Sequence, residues 1–302
     1  ANLQLGAGNF TLAAWIKPSE SAVGTDYGYF GGGHVPGPSF RTNVSRIDYS
    51  SDTSTAAAKG PLAVAKYRGG ATGNASYGYW GGGQIGPGGS PGYTSTVDRI
   101  DYSNDTPTAV AKGPLSAAKS NLSATGTASY GYVVGGFSPS LSIVDRIDYS
   151  SDTPTASPKG PLSSARYYTQ STGNTSYGWI GGGGPALSLV DRIDYSNDTA
   201  TASARGNLSI GKKWHTATGN ASYGYFAGGY TSGIISTVDR IDYSNDTPTA
   251  AVKGPLSAAK YCQGATGNAS YGYFAGGNNP TLSTIERIDY SNDTPTATAK
   301  GP

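Results

Sequence analysis

Five cations recur at one register of a repeated pattern, most with aromatic or hydrogen-bonding neighbours: Lys66 before Tyr67 and Arg68, Lys119, Arg166 before Tyr167 and Tyr168, Lys212 before Trp214 and His215, and Lys260 before Tyr261 and Gln263. Rings stack on the apolar faces of sugars, and Lys or Arg meets a carboxylate or sulfate. This mixture suits a sugar or an anionic glycan. The competing reading is that these side chains fill junctions between repeated units, stems packed and heads in water. The other charges read as scaffold. Of 19 acidic residues, 11 lie in an Asp/Glu-Arg-Ile-Asp block and 6 in the turn after it. Of 21 cations, six are the Arg of that block and six precede a recurrent break (Lys59, Lys112, Lys159, Arg205, Lys253, Lys300). Beyond the five at the repeated register, only Lys17, Arg41, Arg68 and Lys213 remain.

The same census excludes several kinds of chemistry. A net charge of +2 marks no polyanion-binding surface, so no nucleic-acid partner is expected. One Cys excludes an internal disulfide framework and a Cys-based zinc site, and His34 and His215 leave little for a His-rich centre. Asp101, Asn104 and Asp105 lack calcium-loop spacing. No metal, no cofactor and no catalytic residue is expected. With Glu20 and Glu286 the only glutamates, no obvious acid/base pair for glycoside cleavage stands out, although paired Asp residues leave a carbohydrate-active enzyme as the third reading. No apolar run reaches 18 residues, so no membrane insertion is expected. The chain has 0 Met and is expected to be mature, excised or partial.

The elements that carry these residues repeat. A Tyr-Gly-aromatic-hydrophobic-x-Gly-Gly block recurs, with some variation, at Tyr27, Tyr77, Tyr130, Tyr177, Tyr223 and Tyr271, and Arg-Ile-Asp-Tyr-Ser at Arg46, Arg99, Arg146, Arg192, Arg240 and Arg287. A Leu stands 15 residues before each Tyr, at Leu12, Leu62, Leu115, Leu162, Leu208 and Leu256. Cutting at these leucines gives units 12–61, 62–114, 115–161, 162–207, 208–255 and 256–302, with residues 1–11 as an N-terminal extension or the remnant of an upstream domain. Each unit reads as strands and turns without a helical period. In the second, strand A is predicted over 65–72, B over 76–81, C over 95–102 and D over 108–112. Asn and Gly supply the A–B turn, and Ser103-Asn104-Asp105 the C–D turn. Four short antiparallel strands per unit cannot bury both faces alone, so the prediction is an all-β, six-bladed β-propeller with four antiparallel strands per blade. Alternation in strand C places Arg99 and Asp101 on one face and Asp98 and Ile100 on the other, implying an Arg–Asp network within or between blades. The strand-A cations share the B–C/D–A side of the disc with the loops that differ most between units, such as Phe137-Ser-Pro-Ser and Tyr230-Thr-Ser-Gly, where specificity is usually written.

Arg166 through Asn174, then Tyr177-Gly-Trp-Ile-Gly-Gly, then Val190-Asp-Arg-Ile-Asp resembles the kelch repeat: a basic residue opening strand A, a hydrophobic strand B ending in a Gly pair, and a strand C ending in Asp. The likeness covers all six units. The chain departs from the family in lacking a strand-D Trp, replaced by small residues such as Ala109 and Ala250, which implies a lightly packed outer strand. The kelch resemblance also brings copper radical oxidases to mind, but Tyr261-Cys262, His215 and a distant His34 do not assemble that pattern. The units are also similar to kelch-like repeats of marine bacteriophages and related environmental sequences, and residues 1–18 resemble a strand of laminin-G-like, concanavalin-type jelly rolls. These resemblances imply a non-catalytic structural and recognition module of an extracellular assembly: a phage tail fibre or virion appendage that binds a host surface glycan or protein, with self-assembly or other virion proteins as further partners. A secreted cellular adhesin or filament-forming propeller is the alternative.

Overall fold

The computed structural model describes residues 26–301 except 36–38, 87–91, 262 and 278–282. It is a six-bladed, all-β propeller with antiparallel blades and almost no helix. Blades two to six each have four strands in chain order, here A to D from the axis outward; the first shows B, C and D among the described residues. In the second blade A is Gly70–Gly73, B Tyr77–Gly81, C Val97–Asp101 and D Val110–Lys112. Neighbouring A strands pack against one another around the axis. Their residues are Gly, Ala, Ser and Thr at most positions because the backbones crowd there: a Cβ on Gly70 would lie 2.6 Å from Leu122 Cδ1. The extension 1–11 and the likeness over 1–18 lie outside the described residues.

The predicted strand B differs from the observed one by a single residue. Strand A begins five residues later than predicted, at Gly70, because Arg68 sits at φ 59°, a left-handed conformation that interrupts extended chain. Strand D is short, and its side chains are largely exposed; Val110 and Val252 are 56% and 60% accessible, while Ala109 and Ala250 are buried just ahead of it.

No blade closes its own core. Six apolar clusters form, each shared by two neighbours: the second and third blades contribute Tyr79 and Val97 against Leu122, Val133 and Ile147, and the sixth and first contribute Tyr273 and Ile285 against Phe30 and Ile47. A polar clasp accompanies every cluster. Asp152, in the C–D turn of the third blade, takes the Tyr79 hydroxyl at 2.9 Å, Arg99 Nη1 at 2.7 Å and Lys112 Nζ at 3.1 Å, all from the second blade. The same three donor positions of each blade reach the turn Asp of the next, with Trp179 Nε1 substituting for the Tyr at Asp246. The ring closes identically, with Tyr273, Arg287 and Lys300 of the sixth blade on Asp52 of the first. The Arg–Asp network of strand C therefore runs between blades. The glycine after strand D permits the approach: Gly113 N donates to Asp152 O at 2.8 Å, and a Cβ on Gly113 would overlap Pro154 O. Closer to the axis, Thr125 shares a 2.7 Å hydrogen bond with the Tyr195 hydroxyl of the next blade, a pairing repeated at Thr72–Tyr149, Thr172–Tyr243, Thr218–Tyr290 and Thr266–Tyr49.

Candidate functional site

The Gly pair that ends each strand B builds the collar on the B–C/D–A face. Gly82 and Gly83 have φ of 65° and 113°, values that favour glycine, and Gly83 N donates to Lys119 O of the next blade at 2.8 Å. Gly33, Gly136, Gly183 and Gly229 likewise hold the carbonyls of Lys66, Arg166, Lys212 and Lys260. Blades one to five thus each fix the segment entering strand A of the next.

That anchoring turns the five cations inward, which corrects their expected place on the ligand surface. Lys66, Lys119, Arg166, Lys212 and Lys260 are buried. Each pairs with the acid that precedes the strand-C Arg of its own blade: Lys66–Asp98 at 3.2 Å, Lys119–Asp145 at 3.0 Å, Arg166–Asp191 at 2.6 Å, Lys212–Asp239 at 2.8 Å and Lys260–Glu286 at 3.0 Å. The physical reason is the strand-C alternation, which puts that acid on the same face as the buried Ile; a carboxylate there requires a buried partner. Arg166 also donates to Gly182 O and Leu189 O, as Lys212 does to Phe226 O and Thr237 O. His215 is also interior. Burial first, then the charge of Lys212, holds its imidazole pKa well below the usual value, so it is neutral and packs beside Phe226.

After Lys66, Arg166, Lys212 and Lys260 the next residues, Tyr67 and Arg68, Tyr167 and Tyr168, Lys213 and Trp214, and Tyr261, are half-buried at this face and meet, whereas Ser120 and Asn121 after Lys119 are buried. Arg68, Asn121, Tyr168 and Trp214 occupy the second position after the cation in four blades, all left-handed with φ between 56° and 59°. Bulky side chains rarely adopt this backbone, at a cost of order 1–3 kcal/mol each. Backbone hydrogen bonds link them around the mouth of the axis: Asn121 N to Arg68 O and Tyr168 N to Asn121 O, both 2.8 Å. The Arg68 guanidinium lies 4.6 Å from the Tyr67 ring and 5.2 Å from that of Tyr168. Tyr168 contacts Tyr167 at 4.9 Å and Trp214 at 5.3 Å, and Trp214 contacts Tyr261 at 5.6 Å. Of the predicted site, Tyr67, Arg68, Tyr167, Tyr168, Trp214 and Tyr261 therefore form one half-exposed aromatic arc.

The B–C loops extend the arc with residues not predicted as part of the site. Tyr230 lies 5.5 Å from Trp214, with Lys213 Nζ over both rings, and Phe137 bridges Tyr167 to Tyr93. His34 and Phe40 flank Tyr67. Their signal in the sequence was an aromatic in a loop that differs between units. Of the four cations outside the repeated sets, Arg41, Arg68 and Lys213 stand on this side; Lys17 lies outside the described residues. The arc offers flat apolar rings bordered by cations, suited to stacking and charge-assisted hydrogen bonding. Among the described residues, each buried carboxylate faces a cation of the scaffold.

No protein-family model matches the chain, and no curated protein does. Among solved structures it is similar to one described as the structure of YjhT, with a TM-score of 0.75 over 97% of each chain and 13% sequence identity. At that identity the likeness shows the fold alone.

Proposed function

We propose that the protein is a non-catalytic recognition module whose aromatic arc binds a glycan displayed on a surface. The observation that carries this reading is the convergence of Arg68, Tyr168 and Trp214, three bulky residues held left-handed at the axial mouth. Strain of this kind persists where the surrounding frame imposes it, and it gathers at ligand sites. The buried acids of the repeat support the non-catalytic part of the proposal, since each pairs with a cation of the scaffold. With Arg68 and Lys213 at its border, the arc favours sugars that carry a carboxylate or sulfate. Its place in a phage tail fibre or other virion appendage, outside the cell, rests on the resemblance to kelch-like phage repeats; a host surface glycan is then the ligand.

The test is binding to a glycan array and to intact cells by the wild-type chain and by the W214A and Y168A variants, with K119M as a scaffold control. Each arc variant is expected to lose at least about tenfold in affinity, about 1.4 kcal/mol, while K119M keeps wild-type binding at a temperature where it is folded. Wild-type binding by both arc variants would sink the proposal.

A further inference from the structure

The opposite face, built from the A–B and C–D turns, is nearly the same from the second blade to the sixth, so a departure from the repeat there stands out. The A–B turns of the second, fourth, fifth and sixth blades start with Asn74, Asn174, Asn220 and Asn268, and that of the third with Thr127. Ala follows in the second, third, fifth and sixth blades (Ala75, Ala128, Ala221, Ala269) and Thr175 in the fourth, while the first unit reads Gly24-Thr25 at this register. Only the junction of the third and fourth blades sets Thr against Thr at these two positions, Thr127 facing Thr175, and there lies an open cleft of about 400 Å³.

The repeat shows what those two threonines do. Asn174 Oδ1 accepts from Ser176 N and Tyr177 N, both at 2.9 Å, and Thr127 Oγ1 takes the equivalent pair, Ser129 N and Tyr130 N, at 3.1 Å. Thr127 therefore does the turn's work with a shorter side chain and no amide. Where Asn is present, the spare amide can bridge the junction: Asn220 Nδ2 donates to Ala269 O of the next blade at 3.3 Å. The position equivalent to Ala269 opposite Thr127 is Thr175. Thr127 therefore lacks the amide that Asn220 uses to reach across its junction, and Thr175 brings a hydroxyl where Ala269 brings a methyl.

The cleft is lined by five hydroxyl-bearing residues, Thr127, Ser129, Thr175, Ser176 and Ser196, by Tyr130, Tyr177 and Tyr195, and by Asp194. Arg192 covers one face of the Tyr177 ring at 4.3 Å. Asp194 is held below the usual carboxylate range by the Ser196 hydroxyl and amide, so it stays charged and accepts hydrogen bonds. Hydroxyls both donate and accept, which matches a vicinal diol, while the carboxylate repels an anion. The volume lies in the range of small-ligand clefts, about 300–1,000 Å³.

We propose that the junction of the third and fourth blades on the turn face is a second binding site, for a neutral sugar unit, independent of the aromatic arc. The repeat itself supplies the variants: T127N and T175A each restore the residue found at that register in four of the other five units. The experiment is saturation-transfer NMR on the full chain, with a mixture of the methyl glycosides of glucose, galactose, mannose and N-acetylglucosamine as probe. The wild type is expected to transfer saturation to at least one of them. T127N/T175A should lose at least about tenfold in affinity with its melting temperature within about 2 °C of wild type, and T175A alone, which leaves the turn hydrogen bonds untouched, should lose part of it. W214A should keep the signal. Absence of transfer to every probe, undiminished transfer in T127N/T175A, or loss of transfer in W214A would each overturn the proposal; the last would assign the signal to the arc.

Discussion

Replacing Lys119 with Met separates the scaffold role of the buried cations from a role in binding. Asp145 is fully buried, with its Oδ2 3.0 Å from Lys119 Nζ, and that ammonium also lies 3.4 Å from Val133 O. Met fills similar space without charge, leaving a carboxylate in the interior with its cation gone. Breaking one side of a buried pair costs about 3–5 kcal/mol. Unfolding entropy of about 2.1 cal/mol/K per residue gives roughly 0.6 kcal/mol/K for a chain of this length, so the melting temperature should fall by about 5–8 °C. The double variant K119M/D145L removes both charges and should melt within about 2 °C of wild type, because a well-packed apolar pair replaces a buried ion pair at little or no net cost. Calorimetric melts at neutral pH read both. A K119M variant that melts within about 1 °C of wild type, below the smallest effect of a broken buried pair, would refute the assignment, and so would a double variant as unstable as the single one. K119M that loses glycan binding while melting as wild type would return this cation to the ligand surface.

Four other outcomes follow from the same geometry. Y195F deletes a 2.7 Å hydrogen bond to Thr125 and should cost about 1 kcal/mol in a denaturant titration, whereas Y102F, whose hydroxyl has no partner among the described residues, should be neutral or stabilising. G113A places a methyl against Pro154 O in the clasp and should destabilise the chain by several kcal/mol, more than an ordinary Gly-to-Ala change of about 1 kcal/mol. Because His215 stays neutral when folded, the unfolded chain takes up a proton below pH 6.5 that the folded one refuses. Stability should therefore decline toward acid by up to about 1.4 kcal/mol per pH unit, a slope that H215Q abolishes in melts between neutral and mildly acidic pH. The clasp acids Asp105, Asp152 and Asp293 have folded pKa values below 3.8, where their cation and tyrosine donors outweigh burial; their contribution is complete above the unfolded carboxylate range and is lost as pH falls through the folded values, seen as a second, steeper drop in melting temperature.

The blade number and the order of strands were legible because Leu, Tyr-Gly and Arg-Ile-Asp recur at nearly constant spacing, and strand B was legible because its Gly pair marks its end. The aromatic arc was half legible: Tyr168 and Trp214 were singled out beside the cations, while the loops of Tyr230 and Phe137 were placed on the same face without their rings being assigned to the site. The burial of the five cations was missed although the chain carries a sign of it. The first unit has Ser45 where the other five have Asp98, Asp145, Asp191, Asp239 and Glu286, and at the register of Lys66 it has Ile16. Acid and cation are absent together in one unit and present together in five, as a buried pair demands. The left-handed backbone at Arg68 gave no local signal, since Arg, Tyr and Trp all resist it; neighbouring blades impose it through the carbonyl held at Gly33 and the hydrogen bond from Asn121.

The clasps all point one way around the ring. Every blade offers an Asp to the blade before it and three donors to the blade after it, so its two flanks are complementary and unlike. Closure on Asp52 uses the same contact as every internal junction. A chain opened between the sixth and first blades would carry a free donor flank at one end and a free acceptor turn at the other, and two such chains would satisfy each other as readily as each satisfies itself. Head-to-tail contacts of this type close into rings or run on as filaments, according to rotation alone. Protein concentration during refolding should then decide between a single closed disc and linked multiples of it, with the same junction chemistry in both.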